Sequence, residues 1–114
     1  MEKILFIAIL LLSTNRSSAQ TQSELNDQEH KKYLKAENEL NSIYQKILKD
    51  YKSDTAFIKN LKVSQRLWVQ FRRADMKMKY PDRESGSYGS VLPMCWSIYL
   101  TQLTEERIAT LKSG

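Results

Sequence analysis

This 114-residue sequence has one histidine and one cysteine, the two residue types on which zinc sites and thiol catalysis depend. Together they cannot supply the three or four Cys and His ligands of a zinc site. A Cys–His catalytic pair is possible in number, but it would use both residues. His30 lies between Glu29 and Lys31, and this polar neighbourhood favours an exposed side chain. We therefore predict no metal site and interpret His30 as a surface residue.

Three acidic residues and a glycine-containing segment are the remaining candidates for catalysis or cofactor binding. Asp75, Asp82 and Glu84 could form a glycosidase carboxylate pair, but acids near a helix end more often act as caps and ion-pair partners. Segment 86–89 contains two glycines, yet it lacks the preceding strand and the following lysine of a phosphate-binding loop. We therefore predict that the protein is not an enzyme and binds no cofactor.

The N-terminal residues predict an export signal. Lys3 precedes an apolar run over 4–12, which is too short to span a bilayer, and Ser17 and Ala19 form a small-x-small cleavage site. We predict a signal peptide over 1–19 and one mature domain over 20–114, with an uncleaved anchor helix as the alternative. Cleavage leaves 95 residues and lowers the formal net charge from +5 to +4. The protein is then periplasmic or secreted, and no span remains to cross a membrane.

Cys95 lies between Met94 and Trp96, at the predicted start of a helix. A helix N-terminus can lower the pKa of a thiol, but the apolar neighbours favour a buried, unreactive side chain. An odd cysteine in an exported protein can also pair with another chain. The sequence leaves open a free thiol and an intermolecular disulfide.

A basic stretch surrounds the end of the second predicted helix. Such a stretch with interleaved aromatics is typical of nucleic-acid binding, but export argues against nucleic acid as a partner. We interpret it as a solvated face, with an anionic envelope polymer, lipid headgroup or acidic protein as the alternative partner. The stretch consists of Arg66, Arg72, Arg73, Lys77, Lys79 and Arg83, with Trp68, Phe71 and Tyr80 between them.

The first two helices follow from capping residues and apolar spacing. Thr21 and Glu24 have capping-box spacing at the start of the first helix. The stripe that follows breaks at 52–55, where Ser53 or Asp54 offers a new N-cap. That stripe has three- and four-residue spacing and consists of Tyr33, Ala36, Leu40, Ile43, Tyr44, Ile47, Leu48 and Tyr51.

The second helix ends before Pro81, because the residue before a proline avoids the helical region. We predict a core of Trp68 and Phe71 against Tyr44 and Leu103. Asp75 lies on the apolar stripe, and a buried acid needs a partner, for which Arg72 and Arg107 are the candidates. The predicted stripe contains Phe57, Ile58, Leu61, Ser64, Leu67, Trp68, Phe71, Ala74, Asp75 and Met78.

A loop over 82–93 and a third helix over 94–111 complete the predicted fold. The loop is bounded by both prolines of the chain and holds two of its three glycines. The short break between the first two helices favours an antiparallel hairpin. The predicted fold is thus all-α, an antiparallel helical hairpin plus a third C-terminal helix.

Five segments, in order along nearly the whole mature chain, carry motifs of a known family. Segment 64–75 is similar to the pattern Ala-Gln-Arg-Ala-Trp-Ile-x-Phe-Arg-Asp-Ala-Glu, and segment 36–44 to Ala-Asp/Glu-x-x-Leu-Asn-x-x-Tyr. The others are 21–26, the Gly-Ser segment 86–90, and 103–107 followed by Leu111. Together they resemble the N-terminal domain of the LprI-like lysozyme inhibitors, a family of bacterial exported proteins.

The chain departs from the family's pattern at its cysteines. The family usually has Cys at the positions of Gln28 and Met76, whereas Cys95 retains it. Arg73 also replaces the usual Asp. The resemblance therefore implies that the disulfides the family can form are absent here.

The resemblance implies an all-helical exported domain and, for the family's named member, inhibition of lysozyme. A net charge of +4 opposes long-range approach to a basic, animal-type lysozyme. Asp82 and Glu84, with Glu105 and Glu106, could still form a local acidic patch that docks. A polar loop of this size can also enter an enzyme cleft, and its candidate contacts are Ser87, Tyr88, Gly89, Asp82 and Glu84.

The sequence thus predicts an exported small helical binding protein whose partner is a protein, a lysozyme or other cell-wall lytic enzyme that it inhibits. The alternative is a cell-envelope structural or interaction module with a basic face and no enzyme target. The motif residues that we assign to structure rather than to partner binding are Trp68, Arg72, Asp75, Thr104 and Arg107.

Overall fold

The computed structural model describes residues 21–81 and 91–113, which form three α-helices and no strand. They are α1 (Gln22–Asp50), α2 (Thr55–Lys79) and α3 (Leu92–Ser113). The all-α prediction is confirmed. The predicted signal peptide lies outside the described residues. None of the described helices is long and apolar enough to cross a membrane.

The helix ends follow from local capping. The Thr21 hydroxyl accepts a hydrogen bond of 3.2 Å from the Glu24 amide, and the Asp54 carboxylate accepts one of 3.1 Å from the Phe57 amide. Each satisfies an amide that has no partner within its helix. Helix α2 ends at Lys79, just before Tyr80 and Pro81. These boundaries agree with the capping and proline signals of the sequence.

Helix α3 begins two residues earlier than the sequence predicts. Leu92 and Pro93, which the sequence places in the loop, form its first turn. Proline is well tolerated there, because the amide it lacks would have no partner within the helix. Leu92 is also buried, with 4% of its surface exposed, so tertiary packing adds to the local preference.

The helices run up, down and up. Glu37 on α1 meets Arg72 on α2, as expected for an antiparallel hairpin across the 51–54 turn. Helix α3 is antiparallel to α2, since Tyr80 reaches Cys95 at one end and Arg107 reaches Gln65 towards the other. It therefore runs parallel to α1, and a 3.3 Å ion pair joins Lys112 to Glu39 near its C-terminus.

The backbones of α1 and α3 approach each other closely along their length, whereas α2 lies farther from both. Three buried small side chains fit this close approach, Ala36 on α1 and Ser97 and Thr104 on α3. The two helices that are adjacent in sequence are therefore not the most closely packed pair. Helix α2 reaches the other two mainly through long side chains.

The core is small, and α2 contributes little to it. The predicted burial of Leu103 is correct, but Phe71 is 57% exposed, so its predicted place in the core is wrong. Leu67 and Met78, on the same predicted stripe, are 55% and 69% exposed. The buried apolar residues are Ala36, Leu40, Leu61, Met76, Leu92, Leu103 and Ile108.

Two methionines on α2 test which side of the helix is buried. Met76 is 3% exposed and Met78 is 69% exposed, although they are two residues apart. We expect Met76→Ala to lower the free energy of unfolding by about 2–5 kcal/mol, because it leaves a cavity. We expect Met78→Ala to change it by no more than about 0.5 kcal/mol. Urea denaturation of both variants measures the difference, and equal losses would contradict this orientation of α2.

Candidate functional site

The centre of the bundle holds a polar cluster built around Arg72, with one residue from each helix. The Arg72 guanidinium donates to the Glu37 carboxylate at 2.6 and 3.4 Å and to the Thr104 hydroxyl at 3.1 Å. Thr104 is fully buried and donates in turn to the Leu100 carbonyl at 2.8 Å. Arg72 and Glu37 are only 13% and 26% exposed, so the ion pair is largely shielded from water. The cluster therefore links all three helices.

Trp68 lies one turn before Arg72 and extends the cluster along α2. The Arg72 guanidinium carbon is 4.7 Å from the Trp68 ring centroid, and that of Arg107 is 5.8 Å away. Arg107 also donates to Gln65 at 2.9 Å and to Ser64 at 3.0 Å. Partial burial lowers the pKa of Arg107 from its ordinary value. Two cations on one indole ring stabilise this contact between α2 and α3.

Glu37 also affects the neighbouring Tyr33 on α1. The pKa of the Tyr33 phenol is raised above its ordinary value of 10.0, chiefly because the side chain is partly buried and then because of the Glu37 charge. The phenol therefore stays protonated at neutral pH. Tyr33 lies with exposed His30 beside a cleft of about 210 Å³ that Trp96 also lines. The interpretation of His30 as a surface residue is confirmed.

Asp75 has a different partner from the one that the sequence suggests. Its carboxylate accepts a short hydrogen bond from the Tyr99 hydroxyl, whereas Arg72 binds Glu37 and Arg107 binds Gln65 and Ser64. The predicted Asp75–arginine pair is therefore wrong. The partner of the Asp75 carboxylate is therefore the neutral phenol of Tyr99 on α3, and not a cation.

Aromatic side chains close the end of the bundle where α2 stops and α3 begins. Tyr80 donates to the Cys95 carbonyl at 3.3 Å, and its ring lies 5.9 Å from Trp96 and 6.3 Å from Tyr99. Lys79 lies 4.3 Å from the Tyr99 ring centroid. Cys95 is a free thiol of intermediate exposure, so the prediction of a buried cysteine is only partly met. Its pairing with another chain stays a prediction.

The candidate partner-binding residues of the sequence fall between the ends of this aromatic cluster. Asp82, Glu84, Ser87, Tyr88 and Gly89 all lie in segment 82–90, outside the described residues. The segment starts beside Tyr80 and ends beside Leu92, and both are held by the bundle. The predicted acidic patch also includes Glu105 and Glu106 on α3. These two acids lie ten or more residues beyond Cys95, which is about 15 Å along the helix from the end where α3 begins.

A cleft at the opposite end of the bundle was not predicted from the sequence. It has a volume of about 660 Å³ and lies where the 51–54 turn meets the end of α3, with Ile47, Leu61 and Leu111 in its lining. Tyr51 and Phe57 flank the turn with ring centroids 5.3 Å apart, and both are exposed. Two aromatics beside a helix break were the available sequence signal. The cleft is mostly apolar and can accept an apolar side chain.

The residues that the structure describes contain no candidate metal-binding site. Across 21–81 and 91–113, no group of three or more His, Cys, Asp or Glu side chains is arranged to hold a metal ion. The buried polar side chains of these segments are all hydrogen-bonded. The polar cluster around Arg72 therefore has the character of a structural network whose donors and acceptors are already used.

The structural role that we assign to Arg72 is testable with a matched control on the same helix. Arg72→Ala leaves Glu37 half-buried without its cation and removes the contact with Trp68, so we expect a loss of about 2–4 kcal/mol in the free energy of unfolding. Arg66 is exposed, and we expect Arg66→Ala to cost no more than about 0.5 kcal/mol. Chemical denaturation measures the free energy of unfolding of both variants. Similar small losses in the two would contradict the structural role of Arg72 and leave its side chain available for a ligand.

The Tyr99–Asp75 contact predicts a pH dependence of stability. The hydrogen bond to Asp75, then burial and the Asp75 charge, raise the pKa of Tyr99 above 10.0. The folded state thus favours the protonated phenol, and this contribution is complete below about pH 10, the unfolded value. It is lost as pH rises through the folded pKa.

We expect the free energy of unfolding of the wild type to fall more steeply above about pH 10 than that of Tyr99→Phe, which has no phenol to titrate there. Urea denaturation at a series of pH values measures this difference. The variant Asp75→Asn should lower the Tyr99 pKa towards its ordinary value in an ultraviolet titration of the phenolate. Parallel stability curves for the wild type and Tyr99→Phe would contradict the assignment.

Comparison with known proteins identifies the family. A family model described as Lysozyme inhibitor LprI matches residues 13–111. No curated protein and no solved structure gives a significant match. The matched residues include nearly all of the three helices and the motifs that carry the resemblance in the sequence. The chain therefore belongs to the LprI lysozyme inhibitor family.

Proposed function

We propose that this chain is an exported protein without enzymatic activity that binds a lysozyme or a related cell-wall lytic enzyme and blocks it. The observation that carries the proposal is the family match over residues 13–111, which spans all but the ends of the chain. The apolar run at 4–12 and the cleavage site at 17–19 support export. The family match and the export signal are both features of the amino-acid sequence.

The contact surface that we propose is segment 82–90. Its two ends are attached to a firmly packed part of the bundle, where Tyr80 contacts Cys95, Trp96 and Tyr99. A short segment attached in this way loses less conformational entropy on binding than a free one, which favours affinity. Tyr88 is the candidate anchor, because tyrosine is enriched among the residues that dominate binding energy.

The charge of the chain gives the proposal a specific signature. Residues 20–114 carry a net charge of +4, so a basic lytic enzyme is repelled at long range and an acidic one is attracted. Salt screens both effects over about 8–10 Å at physiological ionic strength. Association with a basic lysozyme should therefore quicken as salt is added, and association with an acidic lytic enzyme should slow.

The test is an inhibition assay of the purified chain against several lysozymes of different net charge. We expect saturable inhibition at micromolar or lower concentration. We expect Tyr88→Ala to weaken it by about 10- to 100-fold, the range for loss of a central aromatic contact. Tyr51→Ala is the control, because Tyr51 is 51% exposed at the opposite end of the bundle. The melting temperature of each variant, measured alongside, separates a lost contact with the enzyme from a loss of folded protein.

Absence of inhibition by micromolar protein against every enzyme would overturn the proposal. Retention on peptidoglycan in a salt-sensitive manner, without retention on lysozyme, would instead favour the envelope module with no enzyme target. Equal loss of inhibition in Tyr51→Ala and Tyr88→Ala would leave inhibition in place but move the contact surface away from segment 82–90.

A further inference from the structure

The outer side of α2 carries an exposed apolar stripe. Val63, Leu67, Phe71 and Met78 are 38%, 55%, 57% and 69% exposed, and Ala74 between them is exposed as well. Their spacing of four, four, three and four residues places them on one side of the helix. At 1.5 Å per residue, the stripe runs for about 22 Å. Single exposed apolar residues are common, but a continuous stripe marks an interaction surface.

A row of cations runs beside this stripe. Lys59, Arg66 and Arg73 recur every seven residues, and Lys62 and Lys77 fall in the same row at spacings of three and four. All five are exposed. The helical period places the row about a quarter turn from the stripe, so that the two run side by side.

No carboxylate of the described residues forms an ion pair with the cations in this row. Among residues 21–81 and 91–113, the ion pairs are those of Lys32, Lys46, Arg72 and Lys112, none of which belongs to the row. The one carboxylate within α2 is Asp75, and it accepts from Tyr99 on α3. The outer face of α2 is therefore both apolar and positively charged.

We propose that the outer face of α2 lies on the surface of anionic lipid bilayers. The apolar stripe enters the headgroup region, and the row of cations lies against the lipid phosphates. An apolar stripe flanked by lysine and arginine is the pattern of helices that lie in the membrane interface. This proposal is independent of inhibition, because it uses a different surface from segment 82–90.

Shape and charge together favour a lipid surface over the other occupants. The stripe is a single narrow row on the outer face of one helix, so it suits a deformable interface without needing a matching groove. Five cations that have no ion pair among the described residues complement anionic headgroups, each contributing about a five-fold gain in binding. A second copy of the chain would bring its own row of cations, and the like charges oppose that pairing.

The test is co-sedimentation of the full chain with vesicles of phosphatidylglycerol and phosphatidylcholine, against phosphatidylcholine alone. We expect binding to the anionic vesicles to exceed binding to phosphatidylcholine alone, and we expect this excess to decrease as salt is added. The double variant Arg66→Gln/Arg73→Gln should reduce partitioning by about 25-fold, from two losses of about five-fold each. Lys31→Gln/Lys35→Gln removes the same charge from exposed positions of α1, and we expect less than about a three-fold loss, since only the long-range attraction changes.

A second variant and its matched control test the apolar stripe. Leu67→Gln should lower partitioning by about ten-fold, because a leucine side chain no longer enters the interface. Leu34, 45% exposed on α1, provides the control Leu34→Gln, for which we expect no change. All variants keep residues 1–20, so a contribution of the apolar run at 4–12 is common to them and cancels in the ratios. Melting temperatures should be unchanged, because every substituted residue is exposed.

A position-specific measurement complements the ratios. The native Trp68 and Trp96 give a background that is measured on the wild type and subtracted. After subtraction, the tryptophan introduced by Phe71→Trp should be quenched by brominated lipid and shift its emission to the blue on binding, whereas the tryptophan introduced by Leu34→Trp should not. Equal responses at the two positions, or equal losses in the paired variants, would overturn the proposal. So would binding to an acidic protein but not to vesicles, or a lipid-free dimer that the Leu67→Gln change dissociates. Intact inhibition in the lipid-binding variants would keep the two proposals separate.

Discussion

The Arg72 guanidinium is the point at which the three helices meet, and the placement of α2 depends on it. Helices α1 and α3 pack closely through small and apolar side chains, but α2 lies farther away and reaches them with long polar ones. Arg72 binds Glu37 on α1 and Thr104 on α3 while it contacts Trp68 on its own helix. A lysine could not make the same set of contacts, since its ammonium lacks the planar fork that binds two oxygens and stacks on a ring.

The same constraint explains why an apolar stripe remains outside. The positions that face the bundle from α2 include Trp68, Arg72 and Asp75, whose polar groups have partners there. Turning α2 to bury Phe71 and Leu67 would leave Arg72 and Asp75 without those partners. Such a rotation would leave Glu37 partly buried without its cation, and that cost opposes covering the exposed apolar side chains. The helix therefore presents Leu67, Phe71 and Met78 outward, beside its cations.

The two proposed activities use two different surfaces of one small domain. Segment 82–90 is attached at an end fixed by Tyr80, Trp96 and Tyr99, which suits binding to a protein surface. The outer face of α2 is long, apolar and basic, which suits an anionic lipid surface. A domain held at a membrane surface would keep an inhibitor in the compartment where a lytic enzyme acts on the cell wall. Under this proposal, the positive charge that opposes approach to a basic lysozyme serves binding to lipid.

The sequence by itself determined the number of helices between residues 21 and 113 that the structure describes, most of their ends, and the family. Thr21, Asp54 and Pro81 act within a few residues of the chain, so capping and proline chemistry place those boundaries without tertiary contacts. Only the tertiary structure decided that α3 runs parallel to α1 and packs most closely on it, that Asp75 binds Tyr99, and that Phe71 is exposed. Helix α2 has apolar residues on more than one side, and its periodicity cannot rank them. Which side of α2 faces the bundle is decided by the partners of Arg72 and Asp75 on other helices. The spacing of residues along α2 carries no information about those partners.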